Sequence, residues 1–133
     1  MTVLTVGETM ALLDPAEEGE LRLGMPLVLR FAGAESNFAV ALARLGVDVA
    51  WVSRLGCDPL GDLIEAGLAQ EGVDLRWVTR DAAATGHFFK WRSGGRTSVV
   101  YRRAGSAASR LRPTCSWCIL RSRRRAFRSS SPS

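Results

Sequence analysis

Residues 36–78 read SNFAVALARLGVDVAWVSRLGCDPLGDLIEAGLAQEGVDLRWV, and the fold follows from how this stretch divides. Phe38, Ala41, Leu42 and Leu45 stand at the i, i+3, i+4 and i+7 positions of one helix face, with small Ala39 and Ala43 permitting close packing nearby. Ser36 is placed to accept a bond from the free N–H groups at the helix start, and Gly46 to end the helix as its left-handed residue. Residues 47–53 then form an apolar strand, and Gly56 turns the chain. Asp58-Pro59 supplies a second helix with a cap and with proline at its first position, where a missing N–H is no loss. Leu60, Leu63, Ile64 and Leu68 give that helix its apolar face, Gly72 ends it, and residues 73–78 form a further strand. Strands alternating with helices in this way predict a layered α/β domain.

Outward from this stretch, residues 2–6 alternate Thr with apolar side chains and meet Gly7, which predicts a short opening strand. Residues 14–26 hold Asp14-Pro15, Gly19, Gly24 and Pro26 and read mainly as turn and loop. Leu27, Val28, Leu29 and Phe31 predict a strand, the one leading into the first helix and closed by Gly33. On the far side, residues 86–91 and 97–101 are extended runs joined through Ser93-Gly94-Gly95, a β-hairpin that follows the βαβ core and covers something.

The net charge of +5 is unevenly spread. Residues 1–109 hold eleven basic and 13 acidic residues, whereas residues 110–133 hold seven arginines and no acid. Basicity therefore belongs to a tail rather than to the fold. That tail, residues 112–133, is rich in Arg and Ser and without glycine or lysine. It reads as translation out of frame, as a disordered basic tail or as a structured ending. A non-enzymatic protein binding nucleic acid through this tail is the competing functional class, since its arginines suit phosphates. Only Trp117 and Phe127 are there to stack on bases, so no nucleic-acid partner is expected. Cys115 and Cys118 have metal spacing without a second ligand pair, and His87 is the only histidine, so no metal site is expected. Charged residues interrupt every apolar stretch short of a membrane span, and the start has no basic region before Glu8. The expectation is a cytoplasmic protein with no membrane partner.

Five segments in order resemble the ribokinase-like (PfkB) carbohydrate kinases, most closely the 2-keto-3-deoxygluconate kinases. They are Gly7-Glu8; Ala32-Gly33-Ala34-Glu35-Ser36-Asn37 with the helix to Gly46; Val52-Ser53-Arg54-Leu55-Gly56-Cys57-Asp58-Pro59-Leu60-Gly61; Glu71-Gly72-Val73-Asp74; and Tyr101-Arg102-Arg103-Ala104-Gly105-Ser106. The resemblance covers residues 3–111. It implies a ribokinase-like α/β fold, a central sheet with helices on both faces plus a small β lid near residues 86–101, and a homodimer through that lid.

The resemblance also implies a sugar or sugar-acid site at Gly33, Ala34, Asn37, Tyr101 and Arg103. Gly33 would lie against the sugar, with Ala34 adding a backbone contact. Asn37 would meet a hydroxyl with an amide that both donates and accepts. Tyr101 and Arg103, two apart on a strand, would share a face, and Arg103 would grip a carboxylate with two parallel bonds. Each has a plainer reading: a turn glycine before a helix, a first-turn Asn, an exposed strand Arg. Phe88 and Arg102 stand where the family usually has tyrosines, which leaves fructokinase or another sugar kinase as the alternative.

Such kinases use ATP and Mg²⁺, with a catalytic aspartate in a late Gly-Ala-Gly-Asp segment that these 133 residues do not contain. The expectation is therefore an amino-terminal part with no catalytic residue, neither ATP nor Mg²⁺ bound well, no turnover and poor stability. Val49, Trp51, Leu63, Ile64 and Leu68 would belong to a core lacking one wall.

Overall fold

The computed structural model describes residues 2–112. Of the tail, Arg112 alone is described; Cys115, Cys118 and the arginines from Arg121 onward lie outside the described residues. In chain order the elements are β1 (Val3–Val6), β2 (Met10–Pro15), β3 (Leu27–Ala32), α1 (Ala34–Arg44), β4 (Val49–Gly56), α2 (Pro59–Gln70), β5 (Asp74–Asp81), β6 (His87–Ser93), β7 (Arg96–Arg102) and a single 3₁₀ turn, Ala108–Arg110.

β4 is the most buried strand and lies between β1 and β5 in a three-stranded parallel sheet. Both crossings, β1 through α1 to β4 and β4 through α2 to β5, advance in one direction across the sheet, so right-handed connections put both helices on one face. That face carries Val49, Trp51 and Leu55, joined in one cluster to Ala39 of α1 and to Ile64 and Leu68 of α2. The expected missing wall is thus a point of correction: Val49 is 3% exposed, and Trp51, Ile64 and Leu68 are 0% exposed. Leu63 packs partly buried against the same cluster.

A second sheet has the order β3-β2-β6-β7. Residues 27–31 form the expected strand, but not in the core sheet. β3 pairs antiparallel with β2, and the parallel neighbours of β4 are β1 and β5. Asp14 and Pro15, read as turn, instead end β2, opposite Val28 and Leu27. The apolar part of β2, residues 10–13, does not alternate, so period-two reasoning does not detect it. The β6–β7 hairpin forms where the two glycines predict, with Gly94 at φ +55° and Gly95 at φ +73°, two successive left-handed residues suited to strand twist.

α1 forms over the expected span but turns a different face inward. Ser36 and Ala39 are buried, Val40, Leu42 and Ala43 pack on the core, and Phe38 and Leu45 are 54% and 78% exposed. Two overlapping stripes satisfy the helical period here; close approach of the helix to the sheet selects the one with small residues. Ser36 is not the cap. Gly33, with extended backbone, holds that position, and Ser36 Oγ donates to the Gly33 carbonyl at 3.1 Å.

α2 starts as the sequence predicts, and its cap has a second role. Asp58 Oδ1 accepts from the Gly61 N–H at 2.8 Å, while Oδ2 accepts from the Thr85 N–H at 2.7 Å. Thr85 Oγ1 in turn accepts from the Gly56 N–H at 2.9 Å. Glycine is needed at 61 because a Cβ there would lie 2.5 Å from the Gly56 carbonyl oxygen. Burial opposes the Asp58 charge, but the N–H bonds from Thr85 and Gly61 outweigh it and hold the carboxyl below its usual range. A lowered carboxyl pKa contributes stability above the unfolded value, near ~3.9, and loses it as pH falls through the folded one. Asp58→Ala is expected to cost about 2 kcal/mol in urea unfolding at pH 7, from a lost cap and an orphaned Thr85 N–H. The gap between wild type and variant should narrow steadily below about pH 4.

Candidate functional site

The turn between β1 and β2, residues 7–9, runs along the seam between the sheets. It is anchored on the core side by Ser53 Oγ, which donates to the Gly7 carbonyl at 2.7 Å. Glu8 points into the seam and is only 11% exposed. Its Oε1 accepts from Ser106 Oγ at 2.7 Å, and its Oε2 lies 3.1 Å from Arg103 Nε. Two glycines make this arrangement fit. A Cβ on Gly86, just before β6, would lie 2.5 Å from Glu8 Oε1, and one on Gly33 would lie 2.5 Å from the Glu8 carbonyl oxygen. Thr9 Oγ1 lies beside the same point, buried and without a hydrogen-bond partner among the described residues.

The five sugar-site residues fall into two groups. Tyr101 and Arg103 line a hollow of about 300 Å³ together with Thr85 and Ser106. Tyr101 is 54% exposed and stacks on Phe88, directly opposite on β6, with ring centroids 5.3 Å apart. β7 ends at Arg102, so strand alternation does not place Arg103; its ion pair with Glu8 does. The Arg103 side chain remains 62% exposed. Gly33, Ala34 and Asn37 form the other group, at the first turn of α1, where Asn37 N–H donates to the Gly33 carbonyl at 2.9 Å and the Ala34 and Asn37 side chains are exposed. Glycine at 33 is required by close packing against the β1–β2 turn, whatever else occupies the seam. Glu8 touches both groups, through its carbonyl and through its carboxylate.

The floor of the seam is held by the connection from β5 to β6. Asp81 Oδ1 accepts from the Ala83 N–H at 2.8 Å, and its carboxylate pairs with Arg54 and Arg110 at 3.0 and 3.2 Å. The Ala83 N–H bond, against some burial cost and with help from Arg54 and Arg110, keeps the Asp81 carboxyl below the usual range. Among the described residues, no group of three or more His, Cys, Asp or Glu side chains is placed to hold a metal ion. Among the described residues no helix is long and apolar enough to cross a membrane.

Sequence reasoning assigned no role to Glu8, Thr9, Thr85, Gly86 or Ser106. Glu8 and Ser106 are 98 residues apart, so no local period links them. The signals available were the place of Gly7-Glu8 and Ser106 in segments that carry the family resemblance, and an acid in a turn with no charge partner nearby in sequence.

The model of the pfkB family carbohydrate kinases matches residues 2–124. The chain is 40% identical over 113 residues to the 2-dehydro-3-deoxygalactonokinase of Haloferax volcanii, an alignment covering 84% of this chain and 36% of that protein. It is 41% identical over 114 residues to the 2-dehydro-3-deoxygluconokinase of Bacillus subtilis, covering 84% of this chain and 35% of the relative. A crystal structure of a PfkB protein from Polaromonas sp. JS666 superposes with a TM-score of 0.80 at 42% identity, over 86% of this chain and 40% of that one. The chain thus spans about a third of the length of the curated relatives it matches.

The Gly86 cradle is open to a direct test. Gly86→Ala should displace the Glu8 carboxylate and lower stability by roughly 1–3 kcal/mol in urea unfolding. In a Glu8→Ala background the added methyl meets no carboxylate, so the same substitution should cost less than half as much; equal costs in both backgrounds would refute the cradle.

Proposed function

The chain belongs to the pfkB family of carbohydrate kinases, and from that premise we propose that it carries the sugar-binding side of a 2-keto-3-deoxygluconate kinase. In the intact protein ATP is the phosphoryl donor, Mg²⁺ accompanies it, and the sugar's terminal hydroxyl is the acceptor. The observation that carries this reading is Arg103, paired through Nε to Glu8 with its side chain 62% exposed beside Tyr101 in the hollow. An arginine fork binds a carboxylate with two parallel bonds, which a neutral hexose does not offer. Similarity to two kinases named for keto-deoxy sugar acids supports the same substrate class.

In this reading the exposed Asn37 amide meets a sugar hydroxyl, the Gly33 and Ala34 backbone borders the ring, and Tyr101 adds a phenolic hydroxyl above Phe88. Their work is to bind and orient. Transfer itself needs a base at the acceptor hydroxyl and positive or N–H-rich groups around the moving phosphate, which the described residues are not placed to supply. The 133-residue chain on its own is accordingly proposed to bind sugar acid without phosphorylating it.

Ligand-observed NMR titration of the 133-residue chain with 2-keto-3-deoxygluconate, its galactonate epimer and fructose tests the reading. The gluconate is expected to bind about tenfold or more tightly than fructose, the worth of one charge-assisted pair. Arg103→Met should abolish that preference. Equal binding of fructose overturns the substrate class, and tighter binding of the epimer overturns the choice of sugar. A coupled assay for ADP release should stay at the no-enzyme control, and turnover above it refutes the inactivity.

A further inference from the structure

Glu8 is a seam carboxylate with two partners from the far end of the described chain, and its geometry is one-sided. Oε1 takes the Ser106 hydroxyl, Oε2 faces Arg103 Nε, and the cradle at Gly86 leaves no space for the carboxylate to swing toward β6. A guanidinium carries its five N–H groups in one rigid plane. The ion-pair contact of Glu8 Oε2 at the Nε edge, 3.1 Å away, leaves the two terminal N–H groups at the opposite end of that plane to meet a ligand. Burial differs sharply across the pair, with Glu8 11% and Arg103 62% exposed. The buried acid is the fixed member and the exposed arginine is the member being aimed.

We infer that Glu8 is a positioning residue for sugar-acid recognition: it holds Arg103 by Nε so that the terminal N–H pair faces the hollow shared with Tyr101. This rests on the substrate class proposed above, and it adds to it the residue that sets acid-over-neutral selectivity. Glu8 touches no substrate in this account. A long exposed arginine without such an anchor samples many rotamers and gives up affinity when ordered by its ligand. Ser106 completes the device by fixing the rotation of the carboxylate, since its hydroxyl donates to the oxygen that Arg103 does not use.

The test separates the pair from the substrate reading. Glu8→Gln keeps an amide oxygen for Ser106 and the shape that fits Gly86, and removes the charge facing Arg103. In ¹⁵N–¹H spectra of the 133-residue chain, one arginine Nε–H resonance, assigned by its loss in Arg103→Lys, should exchange slowly with solvent. In Glu8→Gln it should move and broaden toward free arginine, while the melting temperature stays within a few degrees. Binding of 2-keto-3-deoxygluconate should weaken about tenfold in Glu8→Gln, with fructose binding unchanged, and Glu8→Gln should have no further effect on top of Arg103→Met. An Nε resonance indifferent to Glu8→Gln overturns the proposal. So does equal weakening for both sugars, which is what loss of a merely structural residue produces. A wild-type chain with no acid preference overturns the substrate reading, and with it the selectivity role, even where the resonance responds.

Discussion

Asp58 is the group through which the two sheets are set against each other. Its two oxygens serve two different parts of the chain, one capping α2 and the other holding the Thr85 N–H just before β6. Thr85 Oγ1 in turn accepts from the Gly56 N–H at the end of β4, giving a chain of three hydrogen bonds where the core sheet gives way to the second sheet. Arg80 braces the same point by donating to the Gly56 carbonyl at 2.8 Å and pairing with Asp62. Apolar packing also links the sheets, through Phe31 of β3 against the core cluster, but it carries little directional information. Directional bonds accepted by the half-buried Asp58 carboxylate restrict the junction's freedom to pivot.

Glu8 depends on that junction. With the entry to β6 fixed, Gly86 comes close enough to demand a missing side chain, and the returning strand delivers Arg103 and Ser106 to the opposite side of the same carboxylate. The turn carrying Glu8 is also pressed against the start of α1, where Gly33 admits its carbonyl. The family's short signatures thereby acquire physical reasons. The glycine before α1 makes room for a turn, and the Gly-x-Asp-x-x-Gly run joins a helix cap to a strand connection.

Much of the local structure was legible from the residues. Asp58-Pro59 announced the start of α2, Gly46 and Gly72, at φ +76° and +79°, the ends of α1 and α2, and Gly94-Gly95 the hairpin turn. Each of these is decided within four residues by steric or hydrogen-bonding rules that act wherever the segment lies. β2 was not legible, since its apolar run is only four residues, Met10–Leu13, and leads straight into Asp14-Pro15, which reads as a turn. Of the candidate site, the family resemblance pointed to the arginine and tyrosine, whereas nothing local marked the carboxylate paired with the arginine.

By itself, then, the sequence determined most of the elements, the cap of α2, the helix ends and the hairpin turn, and the family signatures strung along them. Only the tertiary structure decided that β1 rather than β3 pairs with β4, that α1 buries Ser36 and Ala39 in place of Phe38 and Leu45, and that Glu8 meets Arg103 and Ser106. The division has one physical cause. Helix caps, turns and periodicity are settled by groups a few bonds apart. Strand partners, buried faces and ion pairs depend on which surfaces the folded chain brings together, and a period that two faces satisfy equally well cannot choose between them.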